Sequence, residues 1–345
     1  MRAMLCSLVG VVLSGSVSAQ LIVPVAQQRS VSGTVNILGP EPGSDSVEDQ
    51  APDFTPYAGA ESVTLDNGFA LSSGGGIQDS QITATSILAS GSAYTNSESY
   101  ESGWSASAHS LSFLSFDFTL TEKASYTLTG EYSAFDHADI VIWLHSDSGT
   151  VLSAHTINGP GKFTLDFSGV LEPGDYTFGA SAEGSTFGSP FEFDYGFAEY
   201  DVDFQLTPLV SSYCLAAPNS AGPGALLSAA GSLDIGDDDF RVEATGAVPG
   251  GIGLVFYGPN QVQLPFGDGF RCVGGHVYRV PPTVQADPSG FVSKPISFSS
   301  GPAASGPGRI DPDSTWNFQL WYRDTMAPGG SGFNVSDGLS VTFCP

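Results

Sequence analysis

The stretch Phe135–His145, FDHADIVIWLH, holds the side chains best suited to acid–base or metal chemistry. Read as a strand, it puts His137, Asp139, Val141, Trp143 and His145 on one face and Ala138, Ile140, Ile142 and Leu144 on the other. His137 and Asp139 are then neighbours spaced to share one ion. His145 lies roughly 26 Å from His137 at about 3.3 Å per residue and cannot join them on a straight strand. The apolar set reads as core, so the segment as a whole fits a half-exposed strand with polar residues outward.

Carboxylates gather in three further places: Asp234, Asp237, Asp238 and Asp239 in DIGDDDF, Glu199, Asp201 and Asp203 in EYDVDF, and Asp311 and Asp313 in RIDPDST. Calcium takes 6–8 oxygen ligands, which aspartate-rich loops can supply. None of the three has EF-hand spacing, and Asp237–Asp239 reads as a solvated turn. The expected cofactor is none, with a structural calcium ion as the alternative. Carboxylate pairs at about 5–9.5 Å also serve glycoside hydrolysis. With 36 acidic residues some pair meets that distance by chance, so the spacing assigns no catalytic residue. The chain has no G-x-S-x-G elbow, H-E-x-x-H, P-loop or C-x-x-C, which weighs against an enzyme.

TWNFQLWYRD, residues 315–324, alternates Trp316, Phe318, Leu320 and Tyr322 with Asn317, Gln319, Trp321 and Arg323. The first set reads as core. On the second, Trp321 flanked by amides and an arginine is the arrangement that stacks on a sugar ring and bonds its hydroxyls. It is also that of an ordinary strand with one amphipathic aromatic. Trp321 is the ligand-binding candidate. Asn334 begins an N-V-S glycosylation match, to which no role is assigned.

Residues 1–19 read as a secretory signal peptide: Arg2, an apolar run from Ala3 to Leu13, and Val17 and Ala19 before Gln20. No other apolar run approaches the roughly 20 residues of a membrane span. The remaining cysteines are Cys214, Cys272 and Cys344, an odd number for an oxidising compartment. Sandwich termini often lie on neighbouring strands, so Cys214–Cys344 is the favoured bridge. It would close a loop of about 130 residues, worth on the order of 4–5 kcal/mol on the chain-entropy model. Of the three possible pairings Cys272–Cys344 ranks next, ahead of Cys214–Cys272, and His276, four residues from Cys272, makes no catalytic dyad with it.

The elements that must hold these residues are strands. Gly 43, Pro 23 and Phe 23 with only 10 Lys+Arg describe a turn-rich chain poor in helix-building surface residues. Period-two alternation recurs in LSFDFTLTE (Phe116, Phe118, Leu120), SYTLTGEY (Tyr126, Leu128, Tyr132) and KFTLDF (Phe163, Leu165, Phe167). The fold class expected is all-β, two jelly-roll-like β-sandwich domains in tandem after the signal peptide. The boundaries expected are a flexible acidic leader over 20–60, one sandwich over 61–208, and a second, disulfide-bearing domain over 209–345. The Ser-, Gly- and Thr-rich stretch Ser72–Ser110 fits edge strands, a long loop, or both.

Two resemblances add to this reading. The turn in LEPGDYTFGA, with DIVIWLHSDSGTVLSAHTI before it and AEYDVDFQLTP after it, resembles the sandwich modules of the pre-peptidase C-terminal type over Leu111–Pro208. The ordered motifs YC, PNSAG, PFGDGFRCVGG, WNFQLWYRD and SDGLSVTFCP across Tyr213–Pro345 resemble a cysteine-bearing C-terminal β domain of uncharacterised secreted bacterial proteins. Members of that family carry two further cysteines where this chain has Pro223 and Phe318, so a bridge between those places is absent here. The family implies a secreted β module and no particular chemistry.

Charge narrows the partners. The net charge is −26, and residues 20–209 hold 25 acidic against 3 basic residues, whereas 210–345 hold 11 against 6. Such a field repels phosphate backbones and anionic lipid, which disfavours nucleic-acid and membrane-surface roles. The reading is a secreted, non-enzymatic protein, extracellular or on the envelope exterior, of structural or adhesion type. Its partner is an extracellular polysaccharide or an envelope protein. The alternatives are a secreted carbohydrate-binding or carbohydrate-active protein and a cation-dependent adhesin.

Overall fold

The computed structural model describes residues 20–156, 161–327 and 329–344. The expected signal peptide lies outside the described residues. The fold is all-β and divides into two compact units between Pro208 and Leu209.

The first unit is a sandwich of twelve strands. In chain order these are β1 (Ile22–Leu38), β2 (Gly43–Gln50), β3 (Tyr57–Asp66), β4 (Ala70–Ile82), β5 (Ser86–Ser99) and β6 (Ser105–Leu120). They are followed by β7 (Ala124–Asp136), β8 (Ala138–Ser146), β9 (Gly149–Thr156), β10 (Gly161–Leu171), β11 (Gly174–Gly188) and β12 (Phe193–Pro208). One antiparallel sheet runs β2-β1-β6-β11-β8-β9 and the other β10-β7-β12-β5-β4-β3. From β5 onward the chain repeatedly crosses between sheets, the jelly-roll-like path. Alternation does the positioning: Phe116, Phe118, Leu128, Ile140, Phe178 and Phe204 all point into one core drawn from both sheets. The Leu171–Tyr176 turn is closed by the Tyr176 hydroxyl, which donates to the Glu172 carbonyl at 2.8 Å.

Two expectations are corrected here. Residues 20–60 are not a flexible leader. β1 pairs with β6 from Ile22↔Leu120 to Leu38↔Ser105, and Leu21, Ile22, Val31, Val35 and Ile37 are buried. The acids that suggested a linker belong to the turns on either side of β2 and to β2 itself, an edge strand whose charges discourage further pairing. The stretch Ser72–Ser110 holds no edge strand and no long loop: most of it forms β4, β5 and the start of β6 in the interior of the sheets, joined by the short connections 83–85 and 100–104. Its small residues let backbones and sheets approach. A Cβ on Gly91 would stand 2.3 Å from Ser112 Oγ and 2.5 Å from the Tyr200 hydroxyl.

The second unit has short strands: β13 (Val210–Tyr213), β14 (Leu226–Ala230), β15 (Arg241–Thr245), β16 (Ile252–Gly258), β17 (Asn260–Phe266) and β18 (Gly269–Gly274). Then come β19 (Tyr278–Arg279), β20 (Val284–Gln285), β21 (Val292–Pro295), β22 (Thr315–Arg323), β23 (Phe333–Val335) and β24 (Gly338–Thr342). A seven-stranded sheet runs β13-β24-β22-β16-β19, with β20 beside β16 and β23 beside β22. Strands β14-β15-β21 form a second sheet and β17-β18 a hairpin. Phe240, Tyr257, Trp316, Phe318 and Phe343 meet in its core, Phe240 and Phe343 edge to face at 5.0 Å.

The disulfide joins Cys214 to Cys272, with Cα atoms 6.1 Å apart, so both pairings expected for Cys344 are corrected. Register explains why. β13 runs antiparallel to β24 with Val210↔Val341 and Tyr213↔Gly338, which sends Cys214 and Cys344 to opposite ends of the ladder. Seven residues at about 3.3 Å each separate them by roughly 23 Å, far beyond the reach of a bridge. Cys344 is buried in the second core, where its backbone N–H donates to the Leu233 carbonyl at 2.9 Å.

Candidate functional site

Trp321 lies on the outward face of β22, directly opposite Leu254 on β16 and Val335 on β23. The alternation that sends Phe318, Leu320 and Tyr322 into the core leaves its ring half-buried on the other side. Two residues along β16, Phe256 pairs with Arg279 of β19. The β17–β18 hairpin supplies the facing wall through Phe266 and Arg271. Together with Leu254 and Val277 these residues line an open groove of about 450 Å³.

The hairpin wall is held from beneath. The Gln319 side chain is fully buried, accepts from the Cys272 backbone N–H at 2.9 Å and donates to the Phe270 and Ser336 carbonyls at 2.7 Å. The disulfide pins the same residue from Cys214, and the Tyr213 hydroxyl donates to the Cys272 carbonyl at 2.9 Å. Gly267, at φ 62°, opens the two-residue turn between Phe266 and Gly269 at the position where glycine relieves the strain. Arg271 therefore projects from a clamped backbone.

Around Trp321 the rings are ordered. Phe333 lies 5.8 Å away, Phe266 packs edge to face on Phe333 at 5.2 Å, and the Arg323 guanidinium stands 5.3 Å over the indole. The amides expected to flank Trp321 as sugar contacts are elsewhere. Gln319 is spent on the hairpin and Asn317 is buried, its side chain donating toward the Gly258 carbonyl at 3.4 Å. The Asn334 side chain is buried as well and donates to the Pro218 carbonyl at 3.0 Å.

The other candidates are not brought together. His137 Nδ1 lies 2.6 Å from the Asp194 carboxylate, and His145 is at the far end of β8. Asp234 caps a short 3-10 turn by accepting from the Gly236 N–H. Asp238 accepts from the Ser299 hydroxyl and the Phe298 N–H, which hold its carboxyl below the usual carboxylate range. Asp239 accepts from the Ser232 N–H at 2.7 Å, and Asp311 pairs with Arg309 at 2.8 Å. Asp313 sits at φ 60° in the loop before β22. These are loop anchors. Among the described residues no three His, Cys, Asp or Glu side chains form a metal-binding group.

Glu199, Asp201 and Asp203 project outward from β12. Asp201 sits directly opposite Glu131, which Lys162 holds at 2.7 Å, and Glu199 accepts from the Ser133 hydroxyl at 3.0 Å. A shallow groove of about 320 Å³ runs over this acidic face. Of the residues lining the Trp321 groove, alternation singles out Trp321. Leu254, Phe256, Phe266, Arg271 and Arg279 come from segments that only the ladder register unites.

Neither a protein-family model nor a curated protein matches the chain. Among solved structures, the chain is similar to the adhesin domain of Epf from Streptococcus pyogenes at 11% identity and a TM-score of 0.20, over 77% of this chain and 79% of that one. Among the described residues no helix is long and apolar enough to cross a membrane.

Proposed function

We propose that the protein is a non-enzymatic binding protein of the adhesion type, acting outside the cell or on the envelope exterior, and that the Trp321 groove is where it meets its partner. The groove itself carries the reading. It is open and aromatic, and its lining side chains, Leu254, Phe256, Phe266, Arg271, Val277, Arg279 and Trp321, include no nucleophile and no general base. A groove so lined supports holding a partner and offers no side chain of its own for turning it over. The Cys214–Cys272 bridge supports an oxidising compartment, as does the signal-peptide pattern of residues 1–19. The order of motifs across Tyr213–Pro345 supports grouping the second unit with the C-terminal β domains of secreted bacterial proteins.

Carbohydrate binding is the second reading, favoured by the half-exposed Trp321 ring and weakened by the loss of Asn317 and Gln319 as contacts. The test is retention of the labelled protein on immobilised envelope proteins and on a polysaccharide array. Trp321→Ala is expected to lower retention about tenfold or more, as truncation of a buried aromatic anchor does. Unchanged retention removes the groove from the reading, and a specific hydrolytic turnover by the purified protein overturns the non-enzymatic one.

A further inference from the structure

Three of the basic residues in this acidic protein converge on one groove. Arg271 enters from the hairpin and Arg279 from the strand beside Phe256, while Arg323 lies over Trp321. The chain has 36 acidic and 10 basic residues, so carboxylate partners are plentiful. Yet among the described residues the arginine ion pair is Arg309–Asp311, and no carboxylate reaches Arg271, Arg279 or Arg323. Arg271 goes further. Its Nε is buried and has no hydrogen-bond partner among the described residues, an arrangement that costs stability unless something else accepts from it.

The rest of the lining decides what that acceptor is attached to. Leu254, Val277, Phe256 and Phe266 offer aliphatic and aromatic surface with no polar side-chain atom. A sugar laid on such walls meets hydrogen-bonding side chains only at Arg271, Arg279 and the Trp321 indole, and any hydroxyl buried there without a partner costs about 1–3 kcal/mol. An aromatic or aliphatic side chain pays nothing of the kind and gains from the burial. The guanidinium fork matches a carboxylate in two parallel hydrogen bonds.

We propose that the Trp321 groove binds an acidic, aromatic- or aliphatic-bearing peptide segment of a partner protein. Its apolar side chain lies on Trp321, Phe256 and Phe266, and its carboxylate is taken by Arg271 and Arg279. This rests on the reading that the groove is the binding site and adds the chemical class of the ligand.

The experiment is calorimetric titration of the full chain with the blocked pentapeptide Phe-Glu-Phe-Asp-Tyr, its neutral counterpart Phe-Gln-Phe-Asn-Tyr, and a uronate oligosaccharide. The acidic peptide is expected to bind at least about tenfold more tightly than the neutral one, a difference of about 1.4 kcal/mol. Arg279→Gln, at an exposed position outside the core, is expected to narrow the ratio of acidic- to neutral-peptide affinity at least about threefold, Arg271 retaining the rest. Equal affinity for the two peptides overturns the role given to the arginines. Binding of the uronate without the peptide overturns the peptide class. Should no probe bind while Trp321→Ala still abolishes retention on immobilised partners, the ligand class fails and the groove's role stands. Should Trp321→Ala leave retention unchanged, the groove reading fails with it.

Discussion

The two units solve the same problem with opposite means. In the first, strands of 8 to 17 residues pair along their whole length, and burial follows from simple alternation. In the second, the strands are 2 to 9 residues long, and buried side chains complete what the ladders leave open. The Asn219 side chain donates to the Gly246 carbonyl and the Tyr322 hydroxyl, and Asp324 accepts from the Ser220 N–H. Gln319 ties a hairpin to a sheet. A long ladder spreads its stabilisation over many equivalent bonds, so the loss of one is diluted. A short-strand unit concentrates it in a few polar locks and a disulfide, each of which satisfies backbone groups that have no second choice. The Trp321 groove is built on the second kind of scaffold.

The largest test of that contrast removes the disulfide. Replacing Cys214 and Cys272 by alanine frees a loop with a sequence separation of 58 residues, a loss of about 4 kcal/mol on the chain-entropy model. Scanning calorimetry of the full chain is expected to show the second unit melting lower by on the order of 10 °C, with the first unit's transition in place. Because Arg271 adjoins Cys272, affinity at the groove is expected to fall as well. A shift shared equally by both transitions would break the comparison, since the two units would then unfold as one.

The smaller test is aimed at the first unit. Gly91→Ala introduces a methyl where Ser112 Oγ and the Tyr200 hydroxyl already stand at 2.3 and 2.5 Å, and overpacking of this kind costs about 2 kcal/mol. Ser92→Ala, next along β5 and facing outward, is expected to change stability by less than about 0.5 kcal/mol. Urea unfolding of the two variants measures both. Similar costs at the two positions would mean that the sheets are not in close approach there.

The same pair of residues shows where the fold was legible. The core positions of β6, β7, β8 and β22 follow from alternation of large apolar residues, because burial in a sheet obeys a period of two. The close approach at Gly76 and Gly91 is invisible to that rule, since small residues mark tight packing and loops alike. β1 was hidden for a related reason. Its inward residues include Gly33 among the valines and the buried Arg29, whose guanidinium donates to Ser80 and to the Asp53 and Thr55 carbonyls. A buried arginine satisfied by carbonyls looks from the sequence like a surface one. The site divides similarly: Trp321 follows from its place in an alternating strand, but Arg271 and Arg279 join it through pairings set by hairpin length and register. The cysteine pairing is a register fact as well.

A last test sharpens the comparison through pH. Asp337, between β23 and β24, is 4% exposed, and its carboxylate accepts from the Leu227 N–H at 2.7 Å. Burial pushes its pKa up to about 7, against the pull of that hydrogen bond. In the unfolded chain the group titrates near about 3.9. Between those values the folded state keeps a proton that the unfolded state has lost. Stability of the second unit therefore falls as pH rises from about 4 to about 7, by at most about 1.4 kcal/mol per pH unit, and levels off above. The opposite slope comes from Asp53, Asp238 and Asp287, whose pKa values are lowered by hydrogen bonds; their stabilisation is present above the unfolded carboxylate pKa and is lost as pH falls below it. The window from pH 4.5 to 8 is clear of them. Asp337→Asn keeps an oxygen for the Leu227 N–H and cannot ionise. It is expected to match the native chain near pH 4.5, to exceed its stability near pH 8, and to leave the first unit's transition unmoved. An unaltered slope in the variant would mean that Asp337 stays ionised in the fold and that water reaches it.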